Sequence, residues 1–426
     1  MPQPPDIFVG ISVFARFMYD WGWIPLPFVL FFAWRALWLY YVELRYIARA
    51  DWITLELKIP HTVESTPKAM EQIFAGLHGM KTRANLKEHY LEGKHQLHIS
   101  MEIVGTGGTI HFFIRTPRQF QRLIESQIYA QYKDAEITEV EDYTAMMPPG
   151  IPNEEYEAWG TELIFTKDDA YPIRTYRFFE EPSSEKKFVD PLAALMELLG
   201  ELGEGEHIWV QYLMKPTGDE WQRKGQYLID RLIGKRSAKT SSGTNIPEEI
   251  FQFFSDMFTT LFLGQEPAGV GSEVKKEKEG PETLMQHLPP GMKDTVAALE
   301  ESISKHGFEA GIRILYIAKT ESFQSASIAA VMGAFKLFST YNLNGFKPNN
   351  AVTPSIDYVF KKTREYLRKK KLYQHARTRY FVRNKIIFNT EELATIYHVP
   401  SIVMEVPLLP KITAKKAEPP AGLPII

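Results

Sequence analysis

HQLHISMEIVGTGGTIHFFIRTP, residues His95 to Pro117, decides the fold. Two runs of strand character flank GTGG (Gly105 to Gly108), and glycines between two such runs mark a hairpin. GTGGT also has the look of a phosphate loop, but it leads into a strand and not a helix, so the hairpin is the stronger reading. Upstream, WITLELKIP (Trp52 to Pro60) alternates as a half-buried strand does. STPKAMEQIFAGLHGM follows as a helix, with Ser65 or Thr66 as N-cap and Pro67 in its first turn. Met70, Ile73, Phe74 and Leu77 share one face of it. Downstream, PRQFQRLIESQIYAQY is a second helix with Phe120, Leu123, Ile124 and Ile128 inward, and DAEITEVEDY is a last strand. The order β-α-β-β-α-β is the split, ferredoxin-like pattern.

A similar order recurs with interruptions. YPIRTYRFFE reads as a strand, VDPLAALMELLGEL as a helix capped by Asp190, EHIWVQYLMKP as a strand and GDEWQRKGQYLIDRLIG as a helix. Later come AGIRILYIAKT as a strand, FQSASIAAVMGAFKLFSTY as a helix and RYFVRNKIIFN as a strand. Between them, GKRSAKTSSGTNIP and GQEPAGVGSEVKKEKEGPET are too polar to order on their own, and they flank the amphipathic PEEIFQFFSDMFTTLFL. The expected fold is α+β: an N-terminal transmembrane helix, then two ferredoxin-like (split βαβ) units, the second with a helical, partly disordered insertion. The expected boundaries are 1–50 for the anchor, 51–148 and 149–400 for the two units, with 234–308 inserted in the second, and 401–426 for a proline-rich tail.

The anchor rests on IPLPFVLFFAWRALWLYYV, Ile24 to Val42, which holds 19 residues with Arg35 as the only charge. At about 1.5 Å per residue this gives roughly 28 Å of helix, close to a hydrocarbon thickness. Trp21, Trp23, Trp38, Tyr40 and Tyr41 suit the headgroup zones near its ends. A buried core helix and a secretory signal are the alternatives; no basic n-region or small-residue cleavage site supports the signal. Residues 7–19 are apolar enough to lie in the interface or the bilayer. Arg45 and Arg49 follow the span and only Arg16 precedes it, which favours a cytoplasmic C-terminal body.

Composition sets further bounds. The 426 residues carry a formal net charge of -3, which argues against a globally basic nucleic-acid binder but not against a local basic patch. With Cys 0, disulfides, thiolate metal sites and cysteine nucleophiles are excluded. IGKRS imitates the end of a Walker A motif, but Asp230 stands where the motif needs glycine. His95, His98 and His111 could meet across the hairpin; without a carboxylate at matching spacing they read as ordinary histidines. No catalytic residue, metal site or cofactor is expected.

KKTREYLRKKKLYQHARTRYFVRNK, Lys361 to Lys385, is the strongest polar feature, with eleven lysines and arginines against the single acid Glu365. Lys361, Lys362, Arg364, Arg368, Lys369, Lys370, Lys371, Arg377 and Arg379 are candidate contacts to nucleic acid or anionic lipid, with tyrosines interleaved for stacking. A solvated helix face is the plain alternative. NTEELATIYHVP (Asn389 to Pro400) sets two carboxylates near a histidine, and it reads as a short helix capped by Asn389 or Thr390. Glu391, Glu392, Tyr397 and His398 are then candidate partner-docking residues and not an acid/base pair.

Several phrases together carry a resemblance: ESQIYAQYKDAEI, DPLAALMELLGELGEGEHIWVQYLMKP, GIRILYIAK with FSTYNLNGFKP, NTEELATIYHVP and the closing AEPPAGLP. Over roughly residues 50 to 424 the chain resembles the membrane-anchored N-terminal region of bacterial type IV secretion/conjugation-like proteins associated with TraD/HerA-type DNA-translocating ATPases. In long members of such a family the proline-rich stretch leads into a P-loop ATPase domain. This chain stops at Ile426 with neither Walker motif, so the resemblance implies a separately encoded motor. What it implies here is a non-enzymatic scaffold in the bacterial inner membrane, single-pass, positioning a translocase-type ATPase at the cytoplasmic face. DNA, membrane lipid and a second copy of the chain are the other candidate partners. A membrane-tethered nucleic-acid- or anionic-lipid-binding module unrelated to secretion is the alternative.

Overall fold

The computed structural model describes residues 16, 19–20, 26–58, 66–179, 190–234, 288–355 and 359–400. Most of the expected interfacial piece at 7–19, most of the insertion and the tail at 401–426 lie outside the described residues. Two compact units emerge: the larger holds Met1–Asp169, Ile173–Gly218 and Lys305–Ile426, the smaller Ala170–Pro172 and Asp219–Ser304.

The hairpin forms as its glycines require. β2 (Ile99–Thr106) and β3 (Thr109–Pro117) pair antiparallel, and Gly107 and Gly108 turn between them at φ 52 and 81. Positive φ at both central residues is the two-residue turn that matches strand twist, and glycine adopts it without steric cost. β1 (Trp52–Lys58) pairs with β3 on one edge and with β4 (Glu136–Val140) on the other. Helices α2 (Pro67–Leu77) and α3 (Gln121–Gln131) lie between these strands in sequence. Thr66 is the N-cap of α2, and Met70, Ile73, Phe74 and Leu77 are buried as the spacing predicts.

The remaining strands are β5 (Tyr156–Phe165), β6 (Glu206–Pro216), β7 (Gly307–Lys319), β8 (Phe346–Pro348) and β9 (Ile386–Asn389). The strands of the two expected units share one sheet. β2 pairs with β6 from Ile99↔Met214 to Thr106↔His207, so the strands form one nine-stranded sheet, in the order β4-β1-β3-β2-β6-β7-β5-β8 with β9 on β7. Seven of the eight residues of β2 are buried, and pairing with β6 removes an edge that would otherwise expose unpaired backbone groups. One edge of β7 is shared: β9 takes Gly307 to Ala310 and β5 takes Ile312 to Lys319.

Two expected strands change. YPIRTYRFFE forms no strand: the amides of Ile173 and Tyr176 donate to the Glu392 carboxylate and the Thr395 hydroxyl, both at 2.9 Å. Donors satisfied by side chains leave no ladder to build. RYFVRNKIIFN shortens to β9, and β5 supplies the strand that pairs with β7.

One face of the sheet is covered by α2, α3, α4 (Ala193–Gly200), α7 (Ser325–Lys336) and α9 (Thr390–Ile396) in a continuous apolar core. The opposite face carries α8 (Lys361–Thr378) and the turn Tyr143–Met146, packed on Trp209, Leu315 and Ile317. In the smaller unit α5 (Glu220–Leu232) and α6 (Pro290–Ile303) pack through Ile229, Val296 and Leu299.

α1 (Leu26–Arg49) is the one helix among the described residues long and apolar enough to cross a membrane. Phe28, Leu30, Phe32, Trp34 and Leu37 are exposed on it. Its lower half meets the body. Arg35 donates to the Tyr90 hydroxyl and the Trp38 indole to the Tyr90 carbonyl, both at 2.8 Å. Gly93, at φ 70, lets its loop approach so closely that a Cβ would collide with the Val42 carbonyl.

Candidate functional site

α8 has two kinds of cation. Lys361, Lys362, Arg364, Lys370 and Lys371 are exposed, as are Tyr366 and Leu367 beside them. Arg368 donates to the carbonyls of Asn350 and Thr353 at 2.9 and 2.7 Å, and Lys369 pairs with Glu157 at 3.0 Å. These two hold the helix to its own body. Arg377 is half-buried over the Tyr373 ring.

Arg379 differs from all of these. Side-chain exposure is 2% for Arg379 and 0% for Glu102, its partner on β2. Its guanidinium meets both Glu102 oxygens, at 3.0 and 3.1 Å, and Asp142 at 2.5 Å. The Tyr143 hydroxyl donates to Glu102 at 2.6 Å, and the Gln211 amide donates to the Tyr143 hydroxyl at 3.1 Å and to the Ala376 carbonyl at 3.0 Å. Burial alone would raise the Glu102 carboxyl, but the charge and hydrogen bonds of Arg379 outweigh it and hold the group below its ordinary value. A surface phosphate cannot reach Arg379, so this cation leaves the set of candidate contacts.

A second buried pair lies beside the first. Arg313 on β7 donates to Glu162 on β5 at 2.8 Å, and to the carbonyls of His375 and Tyr380 at 3.0 and 2.7 Å. Two arginines thus read the last turn of α8 and fix its seat on the sheet. The sequence held a signal for this: Glu102, Glu162, Gln211 and Arg313 are each a polar residue set in a largely apolar strand. A strand covered on both faces buries such a residue only with a partner.

NTEELATIYHVP folds as its spacing predicts, with a capping box between Asn389 and Glu392. Its four candidate docking residues are interior. Relative exposure is 4% for Glu391, 1% for Glu392, 0% for Tyr397 and 1% for His398. Glu391 pairs with Lys305 and, at 3.3 Å, with Arg177. Glu392 accepts from the amides of Ile173 and Asn389, and burial pushes its carboxyl up to about 8. The ring nitrogens of His398 lie 2.8 Å from the Ala394 carbonyl and 3.0 Å from Asp190. What this short helix docks is the chain's own strap at 173–179 and Asp190, the residue that opens the 190–202 segment. A surface partner has no access to these four side chains.

The hairpin histidines go to separate partners: His95 to the Gly93 carbonyl at 2.8 Å, His98 to the Arg379 carbonyl at 2.9 Å and His111 to Glu56 at 2.7 Å. Among the described residues no group of three or more His, Cys, Asp or Glu could hold a metal ion.

The body and its sheet coincide with one family. Residues 43–408 match the family described as Domain of unknown function (DUF8128), and the chain belongs to it. No curated protein matches the chain.

Proposed function

We propose that this chain is a non-enzymatic, membrane-anchored scaffold that presents a basic helix to a polyanion. One observation carries this reading: the same body joins an exposed apolar helix, α1, to α8 with its five exposed cations. Lys361, Lys362 and Arg364 occupy the first turn of α8, where the helix dipole disfavours positive charge. Among the described residues the fold offers only the long, partly exposed Lys361–Glu365 pair at 3.9 Å in compensation, and a local rule broken at so little return is expected at a functional surface. A polyanion laid across that turn relieves both the dipole and the mutual repulsion of the lysines.

The resemblance to type IV secretion/conjugation-like proteins supplies the setting: a single-pass protein of the bacterial inner membrane, its body cytoplasmic, beside a separately encoded DNA-translocating ATPase. Within this reading each half of the sheet is a ferredoxin-like unit. The order β4-β1-β3-β2 and its mirrored counterpart β8-β5-β7-β6 support that assignment. Affinity capture of the full chain from solubilised membranes is the test, with recovery of a translocase-type ATPase expected. Failure to recover one, with DNA binding retained, favours the second reading, a tethered polyanion-binding module unrelated to secretion. The five exposed cations favour that second reading equally.

A further inference from the structure

We propose that the cavity at the foot of α1 is a binding site for the phosphate-bearing headgroup of an anionic membrane phospholipid. The cavity holds about 770 Å³, and one wall is α1 itself, through Tyr40, Glu43, Leu44 and Ile47. That volume falls in the range of small-ligand sites, about 300–1,000 Å³. The opposite wall carries Arg115 on β3, Lys215 on β6 and Arg377 at the end of α8.

Arg115 is the centre of the argument. It is half-buried, its guanidinium stands 5.4 Å over the Trp52 ring, and it meets no hydrogen-bond acceptor among the described residues. Burial first and then the nearby Arg379 weigh against its charge, and they outweigh the carboxylates of Asp142 and Glu102, which favour it. Those two carboxylates are hydrogen-bonded to Arg379, so a partly desolvated Arg115 still gains from an anion that reaches it directly. Arg377 also forms no ion pair among the described residues; it rests over Tyr373 at 5.9 Å. Lys215 shares Glu309 with Lys385, at 3.2 and 2.6 Å, which leaves positive charge in excess there. Between these cations His98 is pushed down to about 4, by burial first and then by Arg115, Lys215 and Arg313, so it adds a neutral ring to the wall.

Position selects the occupant. From Tyr40 to Ala48 the cavity follows α1 for roughly 12 Å at its helical rise. A headgroup zone is about 5–7 Å deep on each side of a bilayer. The Tyr40 end of the cavity therefore lies at headgroup depth, with Leu44 and Ile47 offering an apolar wall. A soluble phosphate would have no use for that wall. Glu43, the acid on the lining, suits a headgroup that also carries a hydroxyl or ammonium donor.

This rests on α1 being a membrane anchor, so alkaline extraction of membranes comes first. If the full chain washes off, the anchor reading fails, and this proposal with it. If the chain stays, native mass spectrometry from nanodiscs of mixed phosphatidylglycerol and phosphatidylcholine tests the site alone. Wild type should retain phosphatidylglycerol, and Arg115→Gln should lower that retention about tenfold, as one lost charge-assisted contact would, with Arg377→Gln lowering it further when added. Arg115→Lys should restore part of it, and Lys361→Glu with Lys370→Glu should leave it unchanged. Equal retention in the Arg115/Arg377 variant, with an unaltered thermal melt, overturns the site. Full competition by millimolar glycerol phosphate assigns it to a soluble phosphate and overturns the lipid.

Discussion

The two faces of the sheet are built on different terms. On the face of α2, α3, α4, α7 and α9 the contact is apolar, and side chains such as Ile128, Ile314 and Phe74 are fully buried. On the face of α8 the contact is a chain of ion pairs, Arg379 with Glu102 and Arg313 with Glu162, set among Trp209, Leu372 and Tyr373. The apolar face stabilises by area and accepts several packings. The ionic face adds little net stability, but it penalises every seat of α8 except one.

Four sets of substitutions break or sharpen this contrast. Arg379→Met should have the largest effect, a loss of about 3–5 kcal/mol in urea unfolding, because Glu102 stays buried without its cation. Adding Glu102→Met should recover most of that loss; if it does not, the network stabilises and the contrast fails. On the apolar face, Ile128→Ala should cost about 2–4 kcal/mol. No second polar deletion should rescue it, since what is lost is packing.

Glu392→Gln tests a carboxylate that the apolar face has taken in. Its folded value, about 8, lies above the ordinary 4.5, so the folded state binds this proton more tightly. Stability is full below about 4.5 and falls as the pH rises toward 8. The amide does not ionise, but its single oxygen can accept from only one of the Asn389 and Ile173 amides, so the variant should melt lower than wild type at pH 4–5, and the gap should narrow or close at pH 8–9. The smallest effect on stability belongs to Lys370→Glu with Lys371→Glu, within about 0.5 kcal/mol. Electrophoretic mobility shifts should nonetheless show weaker DNA binding and a shallower salt dependence.

What was legible in the sequence was local. The Gly107-Gly108 turn, Pro67 in the first turn of α2 and the Asn389/Glu392 capping box each depend on residues within a turn of each other. The strap at 173–179 looked like a strand because the residue that takes its Ile173 amide lies 219 positions later. β5 was hidden for a related reason. Glu157, Gly160 and Glu162 interrupt its apolar run, and only Arg313 and Lys369, far along the chain, account for its two acids. The candidate contacts on α8 divided only in the structure, because charge composition does not say which cation faces inward. The continuous sheet was likewise invisible, since the pairing of β2 with β6 leaves no mark within either strand.

Arg379 has φ 50 and ψ 39, and it both ends α8 and reaches into the sheet. The helix is therefore dimensioned from an interior datum, and every exposed lysine has its bearing counted back from that point. One residue inserted between Lys371 and Leu372 would leave the buried end in place and swing the basic side by about 100°. The outer surface of this protein is in that sense surveyed from within. Drift in the length of α8 would be felt first as a change of aim and only later as a loss of fold.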